Sequence, residues 1–341
     1  MARYPSPRNG QQGGQTRIWI YVASSLFLVA ILYCGYHILG RRSQPNRRPN
    51  PRPLIDANVE QKLPLPAPKS QARPEPDLSQ VAPKPTAESN PRVAKVIDEA
   101  LALIKAEPSR VVDARDRLNE LLPLPMSTQQ LAFVKAQLSQ LSTRWLFGPL
   151  VLPNDKLCDI YKVKPGDQLR LIGRRCKVPH EILMEINNIK SPEALQAGRT
   201  MKVINGPFHA RVYRSTFTLD LFLRNTYVRS FFVGLGKPGR ETPTGLWVVK
   251  DKLISPTWTD PDTFKTYRAG DPDYPLGSRW ISLKGIEGQA KDRTGFAIHG
   301  TKDPQQIGTP ESRGCIRMHN GDAILIYNLL VPHLSKVEVV D

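Results

Sequence analysis

From Phe208 to the last residue, apolar and polar side chains alternate in short runs that end at turn residues. A period of two places successive side chains on opposite faces of an extended chain, so the pattern predicts strands of a half-buried sheet. The runs are 212–218, 219–223, 227–233, 246–249, 280–283, 296–299 and 337–340. An apolar helix is predicted at 322–330, capped by Asn320 or Asp322. Residues 208–341 are therefore predicted to form a mostly-β domain with one C-terminal helix.

The charge and the cysteines exclude several classes of protein. Lys and Arg number 48 against 31 Asp and Glu, a net charge of +17. Residues 1–92 hold 13 basic and 5 acidic side chains, so much of the excess lies outside any predicted domain, and no basic face interleaved with aromatic residues indicates nucleic-acid binding. The four cysteines, Cys34, Cys158, Cys176 and Cys315, cannot build a disulfide scaffold and form no C-x-x-C pattern, so neither a metal nor a cofactor is implied. Cys158 and Cys176 either pair in an oxidising compartment or are two separate buried thiols.

Residues 18–40 contain no Asp, Glu, Lys or Arg. A helix of this length is about 35 Å long and can cross a bilayer. A cleaved signal peptide is the competing interpretation, but the run is too long and no small-x-small cleavage site follows it. We therefore predict a transmembrane helix at 18–40 after a cytoplasmic N-terminus at 1–17. The flanking arginines argue for the opposite orientation, because three precede the run and five follow it closely.

The next two segments differ sharply in composition. Residues 41–92 contain a dozen prolines and few aromatic residues, which predicts a disordered, extended tether. Residues 93–150 repeat apolar residues at helical spacing, with stops at Pro108 and Pro123 and a cap at Ser127, so three short helices are predicted. A tetratricopeptide-like docking unit is one interpretation of these helices. In the absence of a second repeat we favour a plain helical spacer.

Residues 157–205 predict a strand, two helices and a closing strand within a short module. The pattern includes Tyr-x-Val-x-x-Gly-Asp-x-Leu from Tyr161, Val-Pro at 178–179, and Leu, Asn, Leu and Gly before a final apolar strand. In these residues the module resembles a LysM domain. The resemblance implies binding to glycans that contain N-acetylglucosamine, in a groove between two loops. The loops hold Gly166, Asp167, Gln168 and Leu169 on one side and Asn187 and Ile189 on the other. Asp167 and Asn187 can alternatively be helix-terminal residues and Leu169 a core residue.

Near the C-terminus, His299-Gly300-Thr301 is followed by Ser312-Arg313-Gly314-Cys315-Ile316-Arg317. A thiol flanked by glycine, with an imidazole and a guanidinium at short range, is what cysteine acyl transfer requires, since the thiolate attacks and the imidazole takes its proton. A buried structural cysteine and a core histidine are the alternative.

Together with Gly234, Thr242-Pro243-Thr244-Gly245 and Gly277, these motifs resemble the L,D-transpeptidase (YkuD-type) catalytic domain over residues 208–341. The resemblance implies an enzyme that cuts a peptidoglycan tetrapeptide stem after its third residue and passes the acyl group, through a cysteine thioester, to an amine of a second stem. Many members have histidine where this chain has Arg313, a difference that leaves the nucleophile and the base in place.

The resemblance assigns roles residue by residue. Cys315 is the nucleophile, His299 the general base, and the carbonyl of Gly300 orients the imidazole. The backbone N–H groups of Gly314 and Cys315 are the expected oxyanion donors. Arg317 is expected to hold the thiolate or a stem carboxylate, although a structural salt bridge would look the same in sequence.

The segment 252–278 is rich in Gly, Pro and Asp and has weak periodicity. Long irregular segments in compact domains are commonly functional, so we predict a lid over the substrate cleft, with a surface loop pinned by its aromatic residues as the alternative. Predicted substrate contacts are Trp258, Tyr274, Trp280, Ser312 and Arg313, although Ser312 is better suited to bracing its loop.

The sequence thus predicts a multidomain peptidoglycan L,D-transpeptidase, with a helical spacer, a βααβ LysM domain and a mostly-β catalytic domain. Because this substrate is absent from the cytoplasm, the domains are predicted to face the periplasm or cell wall from a single-pass inner-membrane anchor. The partners are then glycan strands, stem peptides and the membrane, without nucleic acid. Hydrolysis as an L,D-carboxypeptidase, attachment of a protein to peptidoglycan, and a non-catalytic LysM scaffold remain alternatives.

Overall fold

The computed structural model of the chain describes residues 89–106 and 110–341. The predicted cytoplasmic segment 1–17, the transmembrane helix 18–40 and nearly all of the tether 41–92 lie outside these residues. Within the described ranges, no helix has the length and apolar character needed to cross a membrane.

The three predicted helices are present, as α1 (Pro91–Lys105), α2 (Val111–Leu121) and α3 (Thr128–Trp145). The Asn90 side chain accepts from two N–H groups at the start of α1, and Ser127 forms a capping box with Gln130 at the start of α3. Helix α3 packs against the sheet of the C-terminal domain, where Lys135 Nζ lies 2.6 Å from an oxygen of Asp220. The C-terminal end of α3 meets the following module, because buried Lys202 donates to carbonyls at 145, 148 and 150. The helices therefore contact both modules rather than only separating them.

The next module has the predicted βααβ order. Its elements are β1 (Cys158–Lys162), α4 (Leu169–Cys176), α5 (His180–Ile186) and β2 (Thr200–Ile204). Strands β1 and β2 pair antiparallel. Cys158 and Cys176 are separate thiols rather than a disulfide, which leaves the second of the two interpretations.

The C-terminal domain is built on a sheet with eight strands among the described residues. Its strands are β3 (Phe208–Tyr213), β4 (Thr218–Leu223), β5 (Thr226–Phe232), β7 (Gly245–Ile254), β10 (Arg279–Glu287), β11 (Phe296–His299), β13 (Ile316–Arg317) and β14 (Lys336–Val340). Their order is β13-β11-β10-β7-β14-β3-β4-β5. Two small ladders flank this sheet: β6 (Leu235–Gly236) with β12 (Pro310–Ser312), and β8 (Trp258–Thr259) with β9 (Thr266–Tyr267). Helix α6 (Asn320–Leu329) follows β13. The predicted fold class is confirmed.

Two local predictions are wrong. The run 212–218 is not one strand, because residues 214–217 form a turn in which Phe217 takes a φ of 53°. Neither Asn320 nor Asp322 caps α6, since the residue before the helix is His319 and makes no side-chain cap bond. The Asn320 amide oxygen instead accepts from the Thr301 N–H at 3.0 Å.

Candidate functional site

The strand register places the histidine and the arginine of the motif on one face of the sheet. His299 lies opposite Trp280 on β10 and opposite Arg317 on β13. Because side chains alternate along a strand, these three share a face with Ala297. The intervening isoleucines, Ile281, Ile298 and Ile316, point to the other face and are at most 1% exposed.

Helix α6 covers that second face. The ring of Tyr327 on α6 receives Lys252 at 4.2 Å and Arg279 at 5.2 Å, and both of these residues lie on the strands beneath it. Lys252 is paired with Ile281, so it shares the isoleucine face. The face that carries His299 is therefore the side of the sheet opposite the helix.

Cys315 comes directly before β13, one residue ahead of the Ile316–Ile298 pair. Continued alternation puts its side chain on the same face as His299, in a diagonal position. The Ala297 backbone N–H donates to the sulfur, and the Gly295 carbonyl lies 4.0 Å from it. The thiol and the imidazole thus stand on one face of adjacent strands, as acyl transfer requires.

The imidazole of His299 is held on two sides. Its Nδ1 lies 2.6 Å from the Gly300 carbonyl, which can only accept, so Nδ1 carries the hydrogen and Nε2 presents a lone pair. The ring of Trp280 stacks on it, with centroids 5.3 Å apart and planes 15° apart. The contact expected of Gly300 is therefore present. Trp280 has the imidazole as its neighbour, and its predicted substrate contact stays a prediction.

The imidazole and the thiol are both uncharged at neutral pH. The pKa of His299 is lowered to about 4, chiefly by burial, which the Gly300 carbonyl opposes and the Arg317 charge reinforces. Burial raises the pKa of the Cys315 thiol, against the Ala297 hydrogen bond and the Arg317 charge. Desolvation favours the uncharged form of each group. Burial therefore favours the neutral thiol over the resting thiolate expected from sequence.

Arg317 is half-buried beside these groups. Its backbone exchanges two hydrogen bonds with Gly234, at 2.8 and 2.9 Å, and its guanidinium donates to the Gln306 side chain. No carboxylate of the described residues lies within 4.0 Å of the guanidinium. The structural salt bridge considered from sequence is therefore not formed, and the charge is available to an anion.

The loop before Cys315 is fixed by two buried hydroxyl groups. Ser312 Oγ accepts from the Gly314 N–H at 3.1 Å and donates to the Cys315 carbonyl at 2.6 Å. Thr242 Oγ1 accepts from the Gly236 N–H at 3.1 Å and donates to the Gly314 carbonyl at 2.9 Å. Ser312 is 1% exposed and makes both of these bonds, which agrees with the bracing role, and its predicted substrate contact stays a prediction.

Gly314 is required by this geometry. Its φ is 111°, and a Cβ there would lie 2.6 Å from the Phe296 ring. Its N–H is committed to Ser312, so it is not free to serve as an oxyanion donor as expected from sequence. The Cys315 N–H has no hydrogen-bond partner within the described part of the chain.

Two residues of this framework were not predicted from sequence as site residues. Thr242 belongs to the quoted Thr-Pro-Thr-Gly motif, but nothing in that motif indicates which hydroxyl braces the loop. Asn320 lies over Gly277 and Gly300, and a Cβ on either glycine would lie 2.1 Å from its Oδ1. Its bond to Thr301 fixes the turn after His299.

Replacing Thr242 by valine tests the hydroxyl bridge. Valine keeps the shape but leaves a buried N–H and a buried carbonyl without their partner, so the free energy of unfolding is expected to fall by about 1–3 kcal/mol. Urea unfolding measures this change. The rate at which Cys315 is alkylated should also change, because the loop before it is held less firmly. Thr218→Val, which removes an exposed hydroxyl paired with Thr216, is the control; equal midpoints for the two variants would contradict the role of Thr242.

The segment 252–278 contains the tail of β7 and the β8–β9 hairpin. Trp258 stacks on Tyr267 with centroids 6.0 Å apart, and the Tyr274 hydroxyl donates to the Pro256 carbonyl at 2.5 Å. Both predicted aromatic contacts thus brace the segment itself, which agrees with the alternative of a segment pinned by its aromatics. Arg313 contacts this segment through Asp260 and Asp262.

Most of the predicted glycan-binding side chains of the LysM module are occupied by the fold. Leu169 and Ile189 are 1% and 4% exposed, which favours the core role that was the alternative for Leu169, and their predicted sugar contacts stay predictions. Asn187 bridges Leu183 and Lys202 through its side-chain amide, and Asp167 accepts from Tyr161, Lys164 and Arg175. Gly166 and Gln168 are exposed on the loop between β1 and α4, so their predicted contacts stay open.

Comparison with known proteins gives consistent results. The family model for the L,D-transpeptidase catalytic domain (YkuD) matches residues 207–339, and that for the LysM domain matches residues 161–203. A Bacillus subtilis protein named as an L,D-transpeptidase, YkuD, is 31% identical over 189 residues, which cover 52% of this chain and 97% of that protein. Its counterpart in Bacillus licheniformis is 28% identical, with 53% and 98% covered. The solved catalytic domain of an Enterococcus faecium L,D-transpeptidase is 18% identical, with 39% and 95% covered and a TM-score of 0.30.

Proposed function

Because this chain belongs to the YkuD family of L,D-transpeptidases, we propose that Cys315 and His299 carry out peptidoglycan acyl transfer on the face of its sheet opposite helix α6. The observation that supports this most is that a thiol lies on the same face of the sheet as an imidazole whose Nδ1 is tied to the Gly300 carbonyl. That bond directs the basic Nε2 away from the backbone, without a carboxylate as third member.

In the first half-reaction, the Cys315 sulfur attacks the carbonyl of the third stem residue as its proton passes to Nε2 of His299. The oxyanion of the tetrahedral intermediate is placed at the Cys315 N–H, the donor left free by the loop. The intermediate collapses to a thioester when the carbon–nitrogen bond breaks, and the leaving D-alanine amine takes the proton back from the imidazolium.

In the second half-reaction, the amine of another stem attacks the thioester and releases the thiol. His299 takes the proton from the attacking amine and returns it to sulfur. Arg317 has the position and the unpaired charge to hold a carboxylate of the stem close to the thiol. Ion pairing of this kind orients the donor peptide and contributes chiefly to substrate affinity.

The LysM module holds the glycan strand while the catalytic domain acts on the stems. Exposed Gly166 and Gln168 remain its sugar contacts in this proposal. The membrane anchor at 18–40 and the tether at 41–92 place both domains on the outer side of the cytoplasmic membrane, where the substrate lies.

Product analysis tests the proposal. The full chain in detergent micelles is incubated with purified disaccharide-tetrapeptides, and the products are separated by mass, with Cys315→Ala as the blank. Dimers linked through third residues are expected. Tripeptides alone would show that the enzyme hydrolyses the stem instead of transferring it. Attachment to a protein would appear as a stem linked to an added lysine-containing acceptor. No change in either sample would overturn the enzymatic proposal and favour a LysM scaffold.

A further inference from the structure

The loop before Cys315, residues 312–315, is called the cysteine loop below. Two acidic residues at the tip of the β8–β9 hairpin hold it by ion pairs. Arg313 Nη1 lies 2.9 Å from Asp260 Oδ2, and Arg313 Nε lies 2.8 Å from Asp262 Oδ2. Arg240 approaches the same Asp262 at 3.0 Å. Arg313 is two residues before Cys315, so the hairpin is tied almost directly to the nucleophile.

The acidic end of this contact is preorganised. Asp260 is 8% exposed, and its Oδ1 accepts from the N–H groups of Asp262 and Thr263 at 2.8 and 3.2 Å. Its own backbone pairs with Lys265 and Phe264 across the tip. The carboxylate that contacts Arg313 is therefore held in a fixed turn. Little conformational entropy is lost when the ion pair forms, because the carboxylate is already ordered.

The cysteine end is equally constrained. Gly314, next to Arg313, has its N–H on Ser312 and its carbonyl on Thr242. The Arg240 carbonyl lies 3.5 Å from the place where a Gly314 Cβ would be. Because these hydrogen bonds fix the backbone at Gly314, a displacement of Arg313 also displaces Cys315.

We propose that Arg313 is a positioning residue whose ion pairs with Asp260 and Asp262 latch the 258–267 hairpin to the cysteine loop. The latch sets both the position of the hairpin and the alignment of Cys315. Arginine suits this role because its planar fork reaches two carboxylates at once, which the single charge of lysine cannot reproduce. The effect of the latch on Cys315 reactivity rests on the proposed function, whereas its effect on the position of the hairpin does not.

Hydrogen exchange of residues 256–268 in the full chain is the structural test. Arg313→Gln is expected to raise exchange in the hairpin at least tenfold, and Asp260→Asn should raise it as well. Asp262 is left in place because it also pairs with Arg240. The double variant Arg313→Gln with Asp260→Asn should show no further increase over Arg313→Gln, because the ion pair of Asp260 is already lost in that variant. Arg211→Gln, which breaks an exposed pair with Glu338 at 2.7 Å, is the matched control and should leave the hairpin unchanged.

Arg313→His provides a readout that a merely structural role would not give. Its imidazole is charged only at low pH, so hairpin protection should return as the pH falls through the histidine pKa, while the native chain shows no such dependence. In activity assays, Arg313→Gln should lower kcat for the transfer reaction by about tenfold.

Each outcome decides the proposal. Unchanged hairpin exchange in Arg313→Gln would overturn the latch, whatever the enzyme does. Faster hydrogen exchange with an unaltered kcat would show that the ion pairs only hold the hairpin, and it would overturn the claim that they align Cys315. If the native chain has no transferase activity but the exchange results hold, the proposed function fails and the latch stands. Urea unfolding of each variant identifies any that has lost its fold, in which case Arg313→Lys replaces it.

Discussion

Replacement of Cys315 by alanine is expected to abolish acyl transfer, with kcat/KM for a tetrapeptide stem falling by about 10⁶-fold, the scale on which loss of an acyl-transfer nucleophile acts. The sulfur is the only atom of this residue that can form the thioester. Alanine fills the site without adding a polar group, so the free energy of unfolding should change little. Product formation and unfolding in urea are the two measurements.

A carbapenem gives an independent readout, since it should acylate the thiol and add its mass to the protein. The Cys315→Ala variant should take up none. Cys176→Ala is the matched control, because Cys176 is also a free, half-buried thiol but lies in the LysM module. Undiminished adduct in Cys315→Ala, or its loss in Cys176→Ala, would place the nucleophile elsewhere.

The state of the thiol affects how this experiment should be run. Because burial raises the pKa of Cys315, a small alkylating reagent should react slowly at neutral pH and faster as the pH rises. Cys158 should react more slowly still, since burial raises its pKa to about 12. When a bound substrate places its carbonyl next to the sulfur, His299 can remove the thiol proton during attack. A small reagent that is not bound in this position receives little of that assistance. Selective acylation by substrate analogues, with slow general alkylation, is therefore expected.

The strands of the catalytic domain could be predicted because their period of two is set by burial of one face. Val228, Trp247, Ile281 and Val337, all fully buried, belong to runs whose alternation is visible in sequence. The two-residue strands β6, β8, β9 and β13 carry no such period. They form because neighbouring strands or turns bring their backbones together, which no local pattern reveals.

The nucleophile and the base were predictable because their chemistry demands particular residue types at a particular spacing. The support around them was not. Thr242 is 72 positions from the Gly314 carbonyl that it holds, and Asp260 is 53 positions from Arg313. Asn320 was predicted as a possible helix cap, since helix starts favour that residue, but tertiary contact with Thr301 gave its amide another partner.

The LysM module shows the same difference between a pattern and a contact. The positions of Leu169, Asn187 and Ile189 fit the family pattern, but a position of that pattern can build the fold as well as contact sugar. Leu169 and Ile189 pack in the core, and Asn187 ties α5 to β2. Exposure separates the two kinds of residue, and exposure is a property of the folded chain.

Replacement of His299 by glutamine is expected to lower kcat/KM by about 10³-fold, within the range that loss of a general base produces. Glutamine has a similar reach, and its amide can still donate to the Gly300 carbonyl. It cannot accept the thiol proton. The loss should fall on kcat for acylation more than on KM, because substrate binding does not use the imidazole's lone pair.

The pH dependence separates this role from a structural one. In the native chain, kcat/KM should rise with pH through the pKa of His299, about 4, because the imidazolium below that pH has no free Nε2 to accept the proton. The rate should then stay level through neutral pH. In His299→Gln the acid limb should vanish, and the rate should instead rise about tenfold per pH unit toward the raised pKa of the thiol, since only preformed thiolate can attack.

His209→Gln is the matched control for this experiment. His209 is a half-buried histidine of the same sheet, its pKa is also lowered by burial, and its Nδ1 accepts from the Lys336 N–H at 3.1 Å. Its replacement should leave both the rate and the acid limb in place. An acid limb near 6.5 in the native chain would show that His299 is hydrated rather than desolvated, and one that survives in His299→Gln would assign the proton acceptor to another group. A native profile that falls again above neutral pH would require a charged imidazolium in the resting enzyme, which the burial of His299 opposes.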